Sequence, residues 1–196
     1  MTSLDALQAL PPDLLKHALA SLKRRVGIEG SKIARGLYQG QAPPAGPELR
    51  AAGFDTLILC AAEWQPPHDA DLVCSTILGY TPGTDPYPGV TLFHAPADDD
   101  FDNPPSAKVV KVAAEAASFA ARQILRGGNV LVSCWAGVNR SGLVTGLTLH
   151  GLTGLSGAQC IARIRGARPK ALTNPQFVAA LAKIQGARQV GVTQPA

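Results

Sequence analysis

Val130 to Val144 reads VLVSCWAGVNRSGLV, and the order of residue types in it decides the fold. The apolar run Val130 to Val132 leads into Ser133 and Cys134. Small residues, Ala136 and Gly137, follow, and Asn139, Arg140 and Ser141 then open a segment without charge up to Arg163. A continuous apolar run is the pattern of a parallel strand buried on both faces, and small residues before a new segment mark a tight turn into a helix, expected to begin near Ser141. In open α/β sheets ligands sit outside the carboxyl ends of the strands. Cys134 stands at such an end.

Outward from this stretch the same grammar repeats. TLILCAA (56–62) and GVTLFHAP (89–96) read as further buried strands. Between the last two strands, Asn103-Pro104 predicts a helix start; Val109, Val112, Ala113, Ala116 and Ala120 share one face, and Gly127-Gly128 stops the helix. SKIARGLYQG (31–40) suggests a short strand and turn, and PELRAAG a brief helix closed by Gly53. Residues 65–89 are rich in Pro, Gly, Asp and Thr and read as a loop with at most one short helix. Beyond Arg140 only helices are expected, with a capping box at Ser156 and Gln159 and a start at Asn174-Pro175. Strand and crossover in alternation give an α/β class with a central, mainly parallel sheet flanked by helices.

The chain has 196 residues, 46% of them apolar, which fits one domain over 1–196 with a helical extension at about 1–30. In that extension Leu14, Leu15, Ala18, Leu19 and Leu22 recur at helical spacing among Lys16, Lys23 and Arg24; packing on the domain is the expected role, a basic surface-binding helix the alternative. A net charge of +4 from 18 basic and 14 acidic residues is spread along the chain and does not imply nucleic acid binding. Four scattered cysteines (Cys60, Cys74, Cys134, Cys160) offer neither a disulfide framework nor a zinc cluster. The start MTSLDALQALPPD does not resemble a secretory signal, so a reducing cytoplasmic location is expected. The uncharged stretch 141–162 is long enough to span a bilayer, yet its glycines, Thr, Ser, His150 and Gln159 read better as a buried helix, a turn and a second helix. Membrane partners are not expected.

The chemistry expected of the cysteine loop follows from dipoles. A tight loop entering a helix turns successive N–H groups into one hollow, and the helix start adds partial positive charge. Arg140 can give an oxyanion two parallel hydrogen bonds. The same field favours thiolate over thiol, so Cys134 is expected to be a nucleophile.

C-W-A-G-V-N-R-S resembles the CxxxxxR(S/T) signature of the protein tyrosine phosphatase superfamily, and the chain is similar to its compact dual-specificity branch over roughly residues 31–187. SKIARGLYQG resembles that branch's opening strand, LILCAAE its "LNAAE"-like strand end, and RIRGARPKALTNPQF its distal arginine and Asn-x-x-Phe pattern. The resemblance implies Cys134 as nucleophile, with Arg140 and the amides of Trp135, Ala136, Gly137, Val138, Asn139 and Arg140 as phosphate ligands. Ser141 would assist thiolate departure. It also implies an aspartate acid on the loop after the preceding strand. HAPADDDFDNP offers four, and matching A-P-A-D selects Asp98, with Asp99 second. The family's usual histidine before the nucleophile is Ser133 here, which removes one support for the thiolate but leaves an active enzyme expected.

For a chain without the extra segments of the large tyrosine-specific enzymes, the resemblance implies a shallower pocket accepting phosphotyrosine and phosphoserine or phosphothreonine, with proteins as the expected substrates and no metal or cofactor expected. Alternatives are an RNA 5′-triphosphatase, from the similarity of Asn139-Arg140-Ser141-Gly142 to N-R-(S/T)-G, a phosphoinositide phosphatase, from LCAAE, and a catalytically weak phosphate-binding adaptor. The loop from Trp135 to Asn139 carries no Lys or Arg, which speaks against highly charged substrates. Cys60 is expected as a buried thiol, with a protective disulfide to Cys134 under oxidation as the alternative. His150 reads as a satisfied core residue and Trp135 as packing or the pocket mouth, and the resemblance implies Arg168 and Asn174 as braces of the loop from the last helices.

Overall fold

The computed structural model describes residues 28–67, 69–70 and 78–187; the N-terminal helix expected from Leu14 to Leu22 and Cys74 lie outside them. Among the described residues seven strands and five helices follow in chain order: β1 (Gly30–Ala34), β2 (Leu37–Gln41), α1 (Glu48–Ala51), β3 (Thr56–Ala61), β4 (Trp64–Gln65), β5 (Asp69–Ala70), β6 (Thr91–Ala97), α2 (Ala107–Leu125), β7 (Val130–Cys134), α3 (Arg140–Thr153), α4 (Gly157–Ala167) and α5 (Pro175–Ala182). Five strands form the main sheet in the order β1-β2-β7-β3-β6, while β4 and β5 make a small antiparallel pair. Only β1 and β2 are antiparallel within the main sheet; β2–β7, β7–β3 and β3–β6 are parallel.

The apolar runs account for this order. Every residue of β3 and β7 is buried, and these two strands sit side by side inside the sheet. Alternate side chains leave on opposite faces. Ile58, Cys60, Val130, Val132 and Cys134 join the helices α2 to α5 in one core, and Leu57, Leu59 and Leu131 join Leu49, Trp64, Tyr80 and Tyr87 in the other.

β6 departs from expectation. It is an edge strand, half-buried from Leu92 to His94 and exposed at Thr91 and Pro96. Pro96 explains this: without an N–H it cannot complete a ladder on both sides, which confines it to an edge. α2 also begins later than Asn103-Pro104, at Ala107, with Ser106 as N-cap accepting from the Val109 amide. Asn103 is held instead by Asp100, whose carboxylate accepts from the Asp102 and Asn103 amides and from the Asn103 side chain. Those bonds, the Asn103 side chain's first, hold the Asp100 carboxyl below its ordinary range.

The uncharged stretch after Arg140 folds as α3, a turn at Gly154, and α4 behind the expected Ser156–Gln159 capping box. Asn174 caps α5 with Pro175 in its first turn. No helix among the described residues is long and apolar enough to cross a membrane.

Candidate active site

The loop from Cys134 to Arg140 joins the carboxyl end of β7 to α3. Cys134 is 2% exposed, and its Sγ lies 3.3 Å from the Ser141 hydroxyl in the first turn of α3. The turn itself requires Gly137. It has φ +66, and a Cβ there would lie 2.3 to 2.6 Å from the backbone of Gly40 and Gln41, so no other residue fits.

The loop's carbonyls are held on its outer side. Arg168 donates to the Ala136 oxygen (3.1 Å) and the Gly137 oxygen (2.7 Å), and the Leu172 amide donates to the Val138 oxygen (3.0 Å). Gln39 of β2 also donates to the Gly137 and Val138 oxygens. Leu172 adopts φ +58, the one non-glycine residue with positive φ among those described. Such backbone persists only where its surroundings enforce it. In a planar trans peptide the N–H opposes the C=O, so carbonyls held outward direct the next amides inward. The N–H groups of Val138 and Asn139 meet no backbone acceptor among the described residues, whereas that of Gly137 turns back on the Cys134 oxygen at 3.3 Å.

Arg140 is charged from several directions. Both terminal nitrogens of its guanidinium meet the Glu63 carboxylate, Nη2 at 2.8 Å, while its Nε is buried without a partner. Burial opposes the charge on Arg140, but Glu63, Cys134 and Asp99 outweigh it and raise its pKa. For Glu63 burial acts upward, yet the Arg140 bonds prevail and keep the carboxyl below its ordinary value. Burial pushes the Cys60 thiol well up, the adjacent Cys134 adds to this and Arg140 opposes it. Cys60 follows Leu59, which pairs with Ser133, so it stands beside Cys134 in the same core; both are free thiols.

The acidic segment meets the loop through one residue. Asp99 accepts from Asn139 Nδ2 (3.1 Å) and Asn174 Nδ2 (2.9 Å). Asn139 Oδ1 in turn accepts from the Thr173 hydroxyl and the Asn174 amide, tying acid segment, loop and α5 into one network. Asp98 is exposed and has no hydrogen bond or ion pair among the described residues. Ser133 turns away from the thiol and donates to the Ile58 oxygen at 3.3 Å. Trp135 is half-buried against the second core, and His150 is satisfied by the Leu155 carbonyl at 2.7 Å.

Two residues of this site were not singled out from the sequence. Glu63 ends LILCAAE, and a charged side chain just past a buried strand was the available signal. Gln39 is a polar residue inside a buried strand, a weaker one.

No family model and no curated protein sequence matches the chain. Solved structures do. The chain is similar to human DUSP28, at 26% identity over 81% of this chain and 93% of that one, with a TM-score of 0.60. It is also similar to a mouse putative dual specificity phosphatase complexed with zinc tungstate, at 25% identity over 81% and 87% of the two chains and a TM-score of 0.62. PTPMT1 in complex with PI(5)P shares the fold, with 16% identity over 78% and 92% and a TM-score of 0.57. The chain therefore has the dual-specificity phosphatase-like fold of the protein tyrosine phosphatase superfamily. Within that class, the likeness supports a cysteine-based phosphatase.

Proposed function

We propose that this chain hydrolyses phosphomonoesters through a phosphocysteine intermediate, with phosphotyrosine and phosphoserine or phosphothreonine in proteins as its substrates. The observation that carries the reading is a set of unpaired donors in the loop that follows Cys134: the buried Nε of Arg140 has no partner, and the amides of Val138 and Asn139 meet no backbone acceptor. A hollow lined by unpaired donors around a sulfur suits an oxyanion.

In the first step the Cys134 thiolate attacks phosphorus; the S–P bond forms as the ester O–P bond breaks, and a carboxylic acid delivers its proton to the departing oxygen. Arg140 and the inward amides hold the equatorial oxygens as charge develops. In the second step water attacks phosphorus and passes a proton to the same carboxylate. The S–P bond then breaks to release phosphate, and the Ser141 hydroxyl, 3.3 Å from Sγ, donates to the departing thiolate.

For the proton donor, position comes before other criteria. Asp99 bonds to Asn139 of the loop, and that nearness favours it over Asp98, the choice from motif matching. Asp98 stays as the second reading, because its unbonded carboxyl is free to swing over the hollow. Comparing Asp98→Asn with Asp99→Asn decides between them.

Glu63 and Asp99 set negative charge against the loop, which itself carries no Lys or Arg from Trp135 to Asn139. This supports simple monoesters in proteins over triphosphorylated RNA or phosphoinositide headgroups, which would be repelled. The test is hydrolysis of p-nitrophenyl phosphate by wild type and Cys134→Ser, followed by phosphopeptides, phosphoinositides and triphosphorylated RNA. Turnover is expected on the phosphopeptides and not in the variant. Tungstate binding without turnover in the wild type would instead mark an adaptor.

A further inference from the structure

We infer that Gln39 is a positioning residue, which sets the cradle's amides for an oxyanion before any substrate arrives. The inference rests on the phosphatase reading above and assigns part of its pre-organisation to a residue separated by two intervening strands from the one that leads into the acid segment.

Gln39 is 0% exposed in the middle of β2, where it pairs with Val132 of β7. Its neighbour on the same face, Leu37, belongs to the helical core, and a Cβ on Gly142 of α3 would lie 3.6 Å from its Nε2. It thus reaches beneath the first turn of α3. An apolar side chain would fill this place without cost, whereas Gln39 buries an Oε1 that finds no partner, and an unpaired buried oxygen is destabilising. What the amide supplies in return lies on its other side. Nε2 donates to the Gly137 oxygen at 3.0 Å and to the Val138 oxygen at 3.3 Å. These carbonyls belong to the two peptides whose N–H groups, on Val138 and Asn139, lack a backbone acceptor. Holding an oxygen below a planar trans peptide holds its hydrogen above it. Arg168 shares the first carbonyl and the Leu172 amide the second, but only Gln39 spans both. Without it each peptide has one restraint and can tilt, so part of the binding free energy goes into reorientation.

The experiment substitutes Gln39→Met and Gln39→Leu, which keep the volume and remove the donors. It measures tungstate inhibition, kcat and KM on p-nitrophenyl phosphate, and melting temperature. Tungstate affinity and kcat are each expected to fall about tenfold, with a melting temperature equal to or above wild type because the unpaired oxygen is gone. Both variants keeping wild-type tungstate affinity and kcat would overturn the inference alone. A wild type that neither binds tungstate nor hydrolyses the ester would overturn the phosphatase reading and this inference with it. Should both variants fail to fold, proton exchange at the Gln39 side-chain amide of the wild type decides. Protection that deepens with tungstate supports the role, and exchange as fast as an exposed amide rejects it.

Discussion

The nucleophile loop and the acidic segment meet at Asn139 and Asp99 but are built by opposite means. The segment 134–140 is short, anchored by buried Cys134 and Asn139, and pinned from outside at three successive carbonyls. Residues 98–103 follow an edge strand, are largely exposed, and meet the loop through Asp99 alone among the four candidate aspartates. The contrast suits the tasks proposed for them. Donors that stabilise developing charge work best when they need no reorganisation, while the acidic segment is fixed to the loop and α5 at Asp99 and is otherwise exposed.

The largest expected effect tests the fixed side. Cys134→Ser should abolish measurable hydrolysis, a loss of at least about 10⁴-fold, while tungstate affinity stays within about threefold, because the nucleophile goes and the cradle remains. Loss of both together would show that the loop depends on its sulfur for shape. On the acidic side, Asp99→Asn should lower kcat about 100-fold, more for phenyl phosphate than for p-nitrophenyl phosphate, since a poorer leaving group needs the proton more. Asp98→Asn should then cost less than about fivefold; the reverse ranking would restore Asp98 as the acid.

The link between the two regions comes next. Asn174→Ala removes the α5 cap and the Asp99 and Asp100 contacts together. It should cost about 2 kcal/mol in denaturant unfolding and lower kcat more than tungstate affinity. Equal losses in both would mean that the network holds the loop, not the acid.

The smallest effect concerns the ion pair at the rim. Glu63→Gln should lower the melting temperature at pH 7 by no more than about 3 °C, as the Glu63 side chain is 37% exposed and solvent screens the pair. Because the Glu63 carboxyl is held below its ordinary value of 4.5, the stability it adds is present above that pH and is lost as pH falls through the lower folded value. Wild type and variant should therefore converge below pH 4.5. Melting curves from pH 3 to 7 check this, and a gap that widens in acid would refute it.

How much of this was legible varied with how local the signal was. β3 and β7 were readable because unbroken apolar runs leave few places but the middle of a sheet. The caps at Ser156 and Asn174 were readable because capping involves residues within three positions. β6 was misread as buried although Pro96 carried the contrary signal, and the start of α2 was missed because Asp100 competes for Asn103. Asp98 and Asp99 could not be ranked from spacing, since adjacent letters can point to different neighbours. Their difference lies in bonds to Asn139 and Asn174, far along the chain.

Taken alone, the amino-acid order determined that a buried strand would deliver Cys134 and Arg140 to one turn, since periodicity, glycine and capping act over a few residues. Only tertiary structure decided that Glu63 would grip Arg140, that Asp99 would join the loop, and that Gln39 would hold it from below. Those contacts join residues tens of positions apart. Their partners are chosen by how the sheet and helices pack, and packing depends on the whole chain at once.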